Sequence, residues 1–264
     1  MEELKRNVFV HRVDAMGFPT ASAIVVTQSR AFVIDTLTRP QDMDPVLAAL
    51  ADRATGRRRV VVNTHHHWDH VYGNAAFRTS DIVAQRTCPR LLEAQLHGIS
   101  ESVPAPPREG VPGPTLTFGD RLTYLGDDET VHLIHTPGHS ADSIVVYLDE
   151  ASVLFAGDTL EWPLPTFTQR DSCDTWVRTL RQLKQLPAET IVPSHGPVMG
   201  KELIDANERY ITGVYAAVAE LKKQGVERHD LDLPAEEFLA PGVELGSTYR
   251  IAHRENVEWI YDEL

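Results

Sequence analysis

Residues 63–70 read NTHHHWDH and follow directly on the apolar, valine-rich stretch 59–63. Four of the 12 histidines lie within this octapeptide. A short continuous apolar run is typical of a buried strand in a parallel sheet, and ligands bind in the loops at the carboxyl ends of such strands. Neutral imidazole is the commonest metal ligand in proteins, and carboxylate accompanies it in zinc, iron and manganese sites. The octapeptide therefore predicts a metal site at one edge of an α/β sheet.

The spacing within the octapeptide indicates two metal positions. His65 and His67 are two residues apart, so an extended turn can direct both at one ion. Asp69 and His70 lie one turn further on and can face a second ion from the same loop. His66 is predicted to face solvent or to support one of its neighbours.

Three segments in the second half of the chain share one construction, a strand followed by a turn of small residues. They are HTPGHS (135–140), which contains His139, AGDT (156–159), which contains Asp158, and VPSHGP (192–197), which contains His195. Strands of one sheet end at a common edge, so these three side chains can converge with the octapeptide. The sequence thus offers seven candidate ligands.

The two halves of the chain repeat one pattern. Residues 24–37 contain IVV and AFVIDTL, and residues 144–160 contain IVV and VLFAGDTL, so each predicts a β-hairpin that ends in Asp-Thr-Leu. In both halves a helical stretch follows, and then an apolar strand that ends in histidine. A duplicated unit of this kind predicts two similar halves packed face to face.

The last third of the chain is predicted to be helical. Apolar residues recur at Tyr210, Val214 and Val218, on one helix stripe. We therefore expect one α/β domain over residues 1–200 and a helical segment over 201–264 that packs on the same domain. His253 shares the stripe of the last helix and is predicted to be packed and hydrogen-bonded.

Large side chains close to the motifs are candidates for the walls of a substrate pocket. They are Trp68, Trp162, Phe167 and the proline-rich loop 103–114, with the remainder of the segment 161–172. Five prolines exclude regular structure from that loop, so we expect it to cover one end of the fold.

Composition and charge narrow the possible partners. The 264 residues are 42% hydrophobic and 24% charged, with a formal net charge of −13. Such an acidic surface repels phosphate backbones, which disfavours nucleic acid as a partner. The apolar runs are far shorter than the ~20 residues that cross a bilayer, so no membrane partner is expected. A small-molecule substrate is expected, and a homo-oligomer remains possible.

Cys88 and Cys173 are the only cysteines in the chain. Since the first residues, MEELKRNVFV, contain no apolar leader, the two cysteines are predicted to be reduced, inert thiols rather than a disulfide framework. This indicates a cytoplasmic protein.

The complete set of motifs resembles the metallo-β-lactamase superfamily, whose first motif is His-x-His-x-Asp-His. The resemblance covers roughly residues 20–200 and includes the downstream histidine, aspartate and final histidine in the family's order. It implies an α/β fold, a four-layer αβ/βα sandwich, here with a helical C-terminal extension. It also implies that His65, His67 and His139 hold one metal, that Asp69, His70 and His195 hold the second, and that Asp158 bridges both.

The resemblance further implies a mechanism. Two ions, zinc in the first place with iron or manganese as alternatives, share a water and lower its pKa toward ~7. The resulting bridging hydroxide attacks a carbonyl or phosphoryl centre, and Asp69 orients it as the catalytic residue. Asp35, at the end of the family's early strand, is expected to support the site without binding metal.

The superfamily hosts several reactions, so particular residues must decide between them. Metallo-β-lactamases usually lack an aspartate at the bridging position, so Asp158 disfavours β-lactam hydrolysis. Glyoxalase II shares the string THHHWDH, and homoserine lactonases retain the same seven ligands. The segment that follows the bridging aspartate in glyoxalase II is not evident in residues 161–172, which disfavours a glutathione thioester. The prediction is a dinuclear metal hydrolase that cleaves an ester, thioester or lactone of a small molecule.

Three other hypotheses are less favoured. A mononuclear iron oxidoreductase of the persulfide dioxygenase type needs only two histidines and one aspartate. The presence of Asp69, His70 and His195 as well, which form a full second site, disfavours it. A non-catalytic binding protein would generally have lost ligands, whereas all seven are present. A nuclease of the ribonuclease Z type would carry an RNA-binding arm and further motifs that are not found in this sequence.

Overall fold

Two β-sheets packed face to face form the centre of the molecule. A computed structural model describes residues 1–98, 103–168 and 173–264. The first sheet contains, in chain order and in spatial order, β1 (Glu2–Lys5), β2 (Val8–Ala15), β3 (Phe18–Val26), β4 (Arg30–Ile34), β5 (Arg58–Val62), β6 (Asp81–Gln85) and β7 (Leu116–Phe118). The second contains β8 (Arg121–Tyr124), β9 (Val131–His135), β10 (Ile144–Leu148), β11 (Val153–Gly157) and β12 (Thr190–Pro193), in the spatial order β12-β11-β10-β9-β8.

Helices cover the outer faces of both sheets. They are α1 (Asp44–Arg53), α2 (Trp68–Val71), α3 (Cys88–His97), α4 (Cys173–Leu183), α5 (Glu202–Lys223) and α6 (Ser247–Glu263). Helix α1 packs on the first sheet, and α4, α5 and α6 pack on the second. The four layers are therefore helix, sheet, sheet and helix, as the sequence predicts. Within the described residues no helix is both long and apolar enough to cross a membrane.

Alternation along the strands divides the core into layers. In β4, Phe32 and Ile34 face the second sheet, whereas Ala31 and Val33 face α1. Successive side chains of a strand point to opposite faces, so a strand covered on both faces is apolar throughout. This explains why the strands next to the site read as continuous valine and isoleucine runs.

The predicted internal repeat is present in the topology. Strands β3 and β4 form an antiparallel hairpin, and β5 then pairs parallel to β4. In the second sheet β10 and β11 form the hairpin, and β12 pairs parallel to β11. Each half therefore brings an Asp-Thr-Leu segment and a histidine-bearing strand end to the same edge of its sheet.

The C-terminal helices are connected to the loop that follows Asp158. Tyr210 on α5 and His253 on α6 form a 2.7 Å hydrogen bond, and His253 Nε2 donates to the Leu233 carbonyl at 2.8 Å. Asn256 on α6 accepts a hydrogen bond from the backbone N–H of Phe167. His253 is thus packed and hydrogen-bonded, as predicted. The boundary at residue 200 between two segments remains a prediction.

Candidate metal centre

The seven candidate side chains lie together at one edge of the sandwich, beyond the ends of strands from both sheets. The loop after β5 carries His65 and His67, α2 carries Asp69 and His70, and the segments after β9, β11 and β12 carry one each. Their ligand atoms fall into two groups, and within each group all of these atoms lie within 4.8 Å of one another. The groups are His65, His67, His139 and Asp158, and Asp69, His70 and His195.

Three imidazole nitrogens converge in the first group. Nδ1 of His67 lies 2.9 Å from Nε2 of His65 and 3.0 Å from Nε2 of His139. His65 and His139 are buried, and His67 is half-buried at the start of α2. The extended backbone of His67, with φ −63° and ψ 149°, lets both ring nitrogens of the His65–His67 pair face one point.

The second group joins the end of the octapeptide to the strand end of β12. Oδ2 of Asp69 lies 3.4 Å from Nε2 of His70 and 3.4 Å from Nε2 of His195. The Thr20 hydroxyl donates to the same oxygen of Asp69 at 3.4 Å. The hairpin β2–β3 therefore restrains the carboxylate from outside the loop.

Asp158 lies between the two groups. Its Oδ2 atom is 3.2 Å from Nε2 of His70 and of His195, and 3.5 Å from Nε2 of His65 and of His139. One carboxylate oxygen is therefore close to imidazoles from both groups. Asp158 could therefore contribute a ligand to either group.

Four of the imidazole rings are held in place by a hydrogen-bond partner at Nδ1, the nitrogen on the side away from the cluster. The partners of the Nδ1 atoms are Thr64 Oγ1 for His65 (3.2 Å), Asp35 Oδ2 for His70 (2.9 Å), the Thr166 carbonyl for His139 (2.9 Å) and the Pro19 carbonyl for His195 (3.1 Å). A carbonyl accepts only, so His139 and His195 each carry a proton on Nδ1, which leaves Nε2 as the atom that would bind a metal ion.

Asp35 has the supporting position that the sequence predicts. It is almost fully buried, and its Oδ1 accepts a 2.7 Å hydrogen bond from the Thr64 N–H. Oδ2 accepts from the Thr64 hydroxyl at 2.7 Å and from Nδ1 of His70 at 2.9 Å. Asp35 thus connects both ends of the octapeptide to strand β4.

Two glycines allow the loops to approach closely enough. A Cβ on Gly157, where φ is +53°, would lie 2.8 Å from the Thr64 hydroxyl oxygen. A Cβ on Gly138 would lie 2.4 Å from the Trp176 ring. Only glycine fits at these contacts. Gly138 therefore allows the His139 segment to pack against α4, and Gly157 allows the Asp158 segment to pack against the octapeptide.

Burial keeps the first group of histidines neutral. It lowers the pKa of His139 and lowers the pKa of His65 and of His67 well below their usual value. Neutral imidazole is the form that binds a metal. The first group is therefore ready to act as a set of nitrogen donors at neutral pH.

The carboxylates dominate the second group. Burial lowers the pKa of His195, but the charges of Asp158 and Asp69 outweigh it and raise that pKa to about 9. The pKa of His70 is raised well above its usual value by the same balance. The buried carboxylates therefore require positive charge in the cluster, which protons or metal ions can supply.

Two atoms of the cluster identify where an ion would fit. Nε2 of His70 and Oδ1 of Asp158 are buried and have no hydrogen-bond partner among the described residues. An unpaired buried polar atom costs roughly 1–3 kcal/mol. Imidazole with carboxylate is a donor set suited to zinc, iron or manganese. The residues present therefore fit divalent transition-metal ions.

His66 lies outside both groups. Its Nδ1 atom is 2.9 Å from Oδ1 of Asp142, which is fully buried and also accepts a 2.8 Å hydrogen bond from the Ser140 hydroxyl. Gln95 donates to the His66 carbonyl at 3.1 Å. His66 thus connects the octapeptide to the segment around His139, which agrees with the supporting role predicted for it.

We expect His66→Ala to keep the metal content of the wild type, because its ring does not face either group. Removing the partner of buried Asp142 is expected to lower the free energy of unfolding by about 1–3 kcal/mol. Metal analysis by mass spectrometry and urea unfolding measure the two effects. A folded variant that had lost metal would contradict the proposed ligand register.

Glu161 is a buried carboxyl beside the cluster that sequence analysis missed. Its Oε1 accepts hydrogen bonds from the backbone N–H and the hydroxyl of Thr166, at 2.9 and 2.8 Å, and lies 3.6 Å from Nδ1 of His139. Burial and the charge of Asp158 raise the pKa of Glu161 to about 8. Its position three residues after Asp158 is not a signal that could be recognised alone.

Two clefts border the site, and each contains predicted wall residues. Trp68 and residues 104–109 line a cleft of about 530 Å³ with the tip of the β2–β3 hairpin. Trp162 lines another of about 560 Å³. Phe167 is buried with its ring 5.3 Å from that of Trp176, so its prediction as a wall is wrong because the ring completes the core. Residues 169–172 of the predicted segment lie outside the described residues.

A four-layer sandwich with a histidine and aspartate cluster at the common edge of its sheets defines a class of metal-binding protein. Residues 15–195 match the family profile described as the metallo-beta-lactamase superfamily. The chain belongs to this superfamily.

Curated relatives include two hydroxyacylglutathione hydrolases. The one from Thermosynechococcus vestitus is 31% identical over 191 residues, which are 70% of this chain and 69% of that protein. The one from Rhizobium etli is 29% identical over 229 residues, 86% of this chain and 77% of that protein. Both are hydrolases by name, so the prediction of a hydrolase is supported.

Solved structures are similar to this fold at lower sequence identity. A metallo-beta-lactamase from Pontibacter korlensis has a TM-score of 0.62 and 23% identity, covering 77% of this chain and 94% of that one. DIM-1 metallo-beta-lactamase has a TM-score of 0.64 and 20% identity, covering 80% and 96%. These similarities confirm the predicted αβ/βα metallo-β-lactamase fold.

Proposed function

We propose that this protein is a dinuclear zinc hydrolase that cleaves an ester, thioester or lactone of a small molecule. The observation that carries the proposal is the position of Asp158 Oδ2, which lies within 3.5 Å of imidazole nitrogens from both groups. A second buried group of three donors beside this carboxylate favours two ions over one.

The proposal assigns each side chain a part. His65, His67 and His139 would hold one ion, Asp69, His70 and His195 the other, and Asp158 both. Bound divalent ions of this kind acidify a water molecule and polarise a carbonyl oxygen. The protein supplies the fixed orientation of the donors, since the hydrogen bonds behind the rings leave the imidazoles little freedom.

Asp69 is the residue proposed to orient the attacking water. Its carboxylate is nine-tenths buried, and the Thr20 hydroxyl at 3.4 Å restrains the Oδ2 atom. A carboxylate in this position accepts a hydrogen bond from the water and directs the oxygen lone pair at the substrate carbonyl. Asp69 would thus act both as a metal ligand and as the catalytic residue.

The names of the curated relatives favour a thioester within the three substrate classes. Hydroxyacylglutathione is a thioester, and the relatives are named for its hydrolysis. The segment 161–172 lacks the pattern expected for glutathione recognition, so the proposal extends to thioesters of other thiols. A panel of substrates has to include both.

The first test is elemental analysis of untagged protein that has not been exposed to a chelator. We expect about two zinc ions per chain, together with hydrolysis of at least one member of a panel. The panel contains a hydroxyacylglutathione, a non-glutathione thioester, an oxygen ester, an acyl-homoserine lactone and a β-lactam. About one iron per chain, or two zinc ions with turnover of the β-lactam alone, would refute the proposal.

A further inference from the structure

The cleft of about 560 Å³ on the His195 side of the metal centre contains the feature that carries a further inference. The residues around it come from four separate parts of the chain. Its walls include Glu2, Arg12, Trp162, Gly196, Val198 and Tyr249. Trp162 and Val198, with the ring of Tyr249, supply apolar surface, and Arg12 supplies a cation.

Two side chains on this cleft have hydrogen-bond donors without partners. The Tyr249 hydroxyl is buried and has no partner among the described residues, and Tyr249 itself is only 9% exposed. Nε and Nη2 of Arg12 are likewise buried and unpaired within the same part of the chain. Buried donors without acceptors are rare in folded proteins, particularly when one of them is charged.

The cleft is connected to the metal centre through the residues that hold His195. The Phe18 ring lies 5.0 Å from the ring of Tyr249 and 5.5 Å from that of His195. The backbone N–H of Trp162 donates to the His195 carbonyl at 2.9 Å, and Gly196 follows His195 directly. A ligand in the cleft would therefore lie beside one of the proposed metal ligands.

The chemistry of the unpaired donors defines the group that they would bind. Nε and Nη2 of the Arg12 guanidinium and the Tyr249 hydroxyl have no acceptor among the described residues, and the positive charge of Arg12 favours a negatively charged acceptor as their partner. Arginine binds carboxylate in a planar, two-pronged geometry. Glu2 lines the same cleft and its negative charge acts on Arg12, but the two side chains form no ion pair within 4 Å in the described part of the chain.

We propose that this cleft binds a carboxylate group of the substrate through Arg12 and Tyr249, with its apolar walls around the adjoining carbon chain. The inference rests on the proposed hydrolase function and narrows it to acyl compounds that carry a carboxylate. Arg12 and Tyr249 would then be specificity residues that do not take part in the chemical step.

A matched pair of substrates tests this inference with the metal-loaded full-length protein. Mono-p-nitrophenyl glutarate carries a free carboxylate, and its methyl ester has the same chain without the charge. We expect kcat/KM to be about tenfold higher for the acid, mainly through a lower KM, because hydrogen bonds from a charged donor strengthen binding of the carboxylate by about this factor.

Arg12→Met and Tyr249→Phe should reduce this preference for the acid over the methyl ester. Arg12→Lys keeps the charge and should retain part of the preference, whereas Arg59→Met, which removes an exposed arginine on β5, should retain all of it. Glu2→Gln should increase the preference, because it removes a negative charge from the cleft. An equal preference in Arg12→Met and wild type would overturn the inference.

Calorimetric titration with glutarate and with neutral glutaramide gives a readout that needs no turnover. Carboxylate binding at the metal ions is common to wild type and Arg12→Met, so the difference between the two proteins reports the cleft alone. We expect glutarate to bind Arg12→Met about tenfold more weakly than it binds wild type, and glutaramide to bind the two proteins with equal affinity. Equal glutarate affinities of the two proteins would overturn the inference about the cleft, whereas a lack of hydrolysis across the whole substrate panel would refute the proposed function and leave this binding measurement unaffected.

Discussion

Asp158→Ala is expected to lose most of its bound metal and to fall in kcat/KM by about a thousandfold, while the sandwich stays folded. The lost carboxylate oxygen lies within 3.5 Å of four imidazole nitrogens, so no neighbour can replace it for both ions. Several kcal/mol of transition-state stabilisation by bound ions corresponds to a factor of about 10³. Mass spectrometry of bound metal and initial rates on the best substrate of the panel measure both quantities.

Two further variants make this result specific to Asp158. Asp158→Asn keeps the shape of the side chain and one neutral oxygen, and should hold more metal than Asp158→Ala but less than wild type. Asp127→Ala removes an exposed carboxylate from the loop after β8 and should change neither metal content nor rate. Wild-type activity in Asp158→Ala would show that this carboxylate does not bridge two ions.

The cluster could be predicted from the sequence because its members follow strand ends. Asp158 comes directly after β11, His195 comes two residues after β12, and both turns are built from small residues. The carboxyl ends of neighbouring strands lie close together whatever the rest of the fold does. The spacing within the octapeptide then fixes which side chains can share one point.

The contacts that support the cluster could not be predicted in the same way. His66 and Asp142 are 76 residues apart, and His195 is held by the carbonyl of Pro19 from 176 residues away. A backbone carbonyl has no sequence signature, and a single aspartate among many acidic residues has none either. Arg12 and Tyr249 share a cleft only because the β2–β3 hairpin and α6 both reach the same edge of the sandwich.

The N-terminal strands were the part of the fold that sequence patterns missed. Val8, Phe9 and Val10 in β2 are all buried, so this strand does not show the alternation of a half-exposed strand. Strand patterns resume at Thr115, but β7 has three residues and β8 has four, which is too short for the pattern to give their ends. In both cases the neighbouring strand, and not the local pattern, determines the structure.

Substitution of Asp35 is the second change expected to have a large effect, here on the free energy of unfolding, because this one buried carboxylate accepts hydrogen bonds from three donors. Asp35→Ala would leave the Thr64 N–H, the Thr64 hydroxyl and Nδ1 of His70 without their acceptor. Each buried unpaired group costs about 1–3 kcal/mol, so for three groups we expect a loss of about 3–9 kcal/mol in the free energy of unfolding. The backbone adds to this loss, since φ is +57° at Asp35 and this region favours aspartate and asparagine over alanine.

Asp35→Asn separates the effect on the metal centre from the effect on stability. Asparagine tolerates the same backbone conformation and keeps an acceptor for the Thr64 N–H. Its amide nitrogen would face Nδ1 of His70, which must then accept a hydrogen bond and carry its proton on Nε2, the atom that faces the cluster. We therefore expect near-wild-type stability in urea with chelator present, but a fall from about two metal ions per chain to about one. Two tightly bound ions in Asp35→Asn would mean that this hydrogen bond does not control the second group, since loss of such a contact weakens metal binding about 10–100-fold.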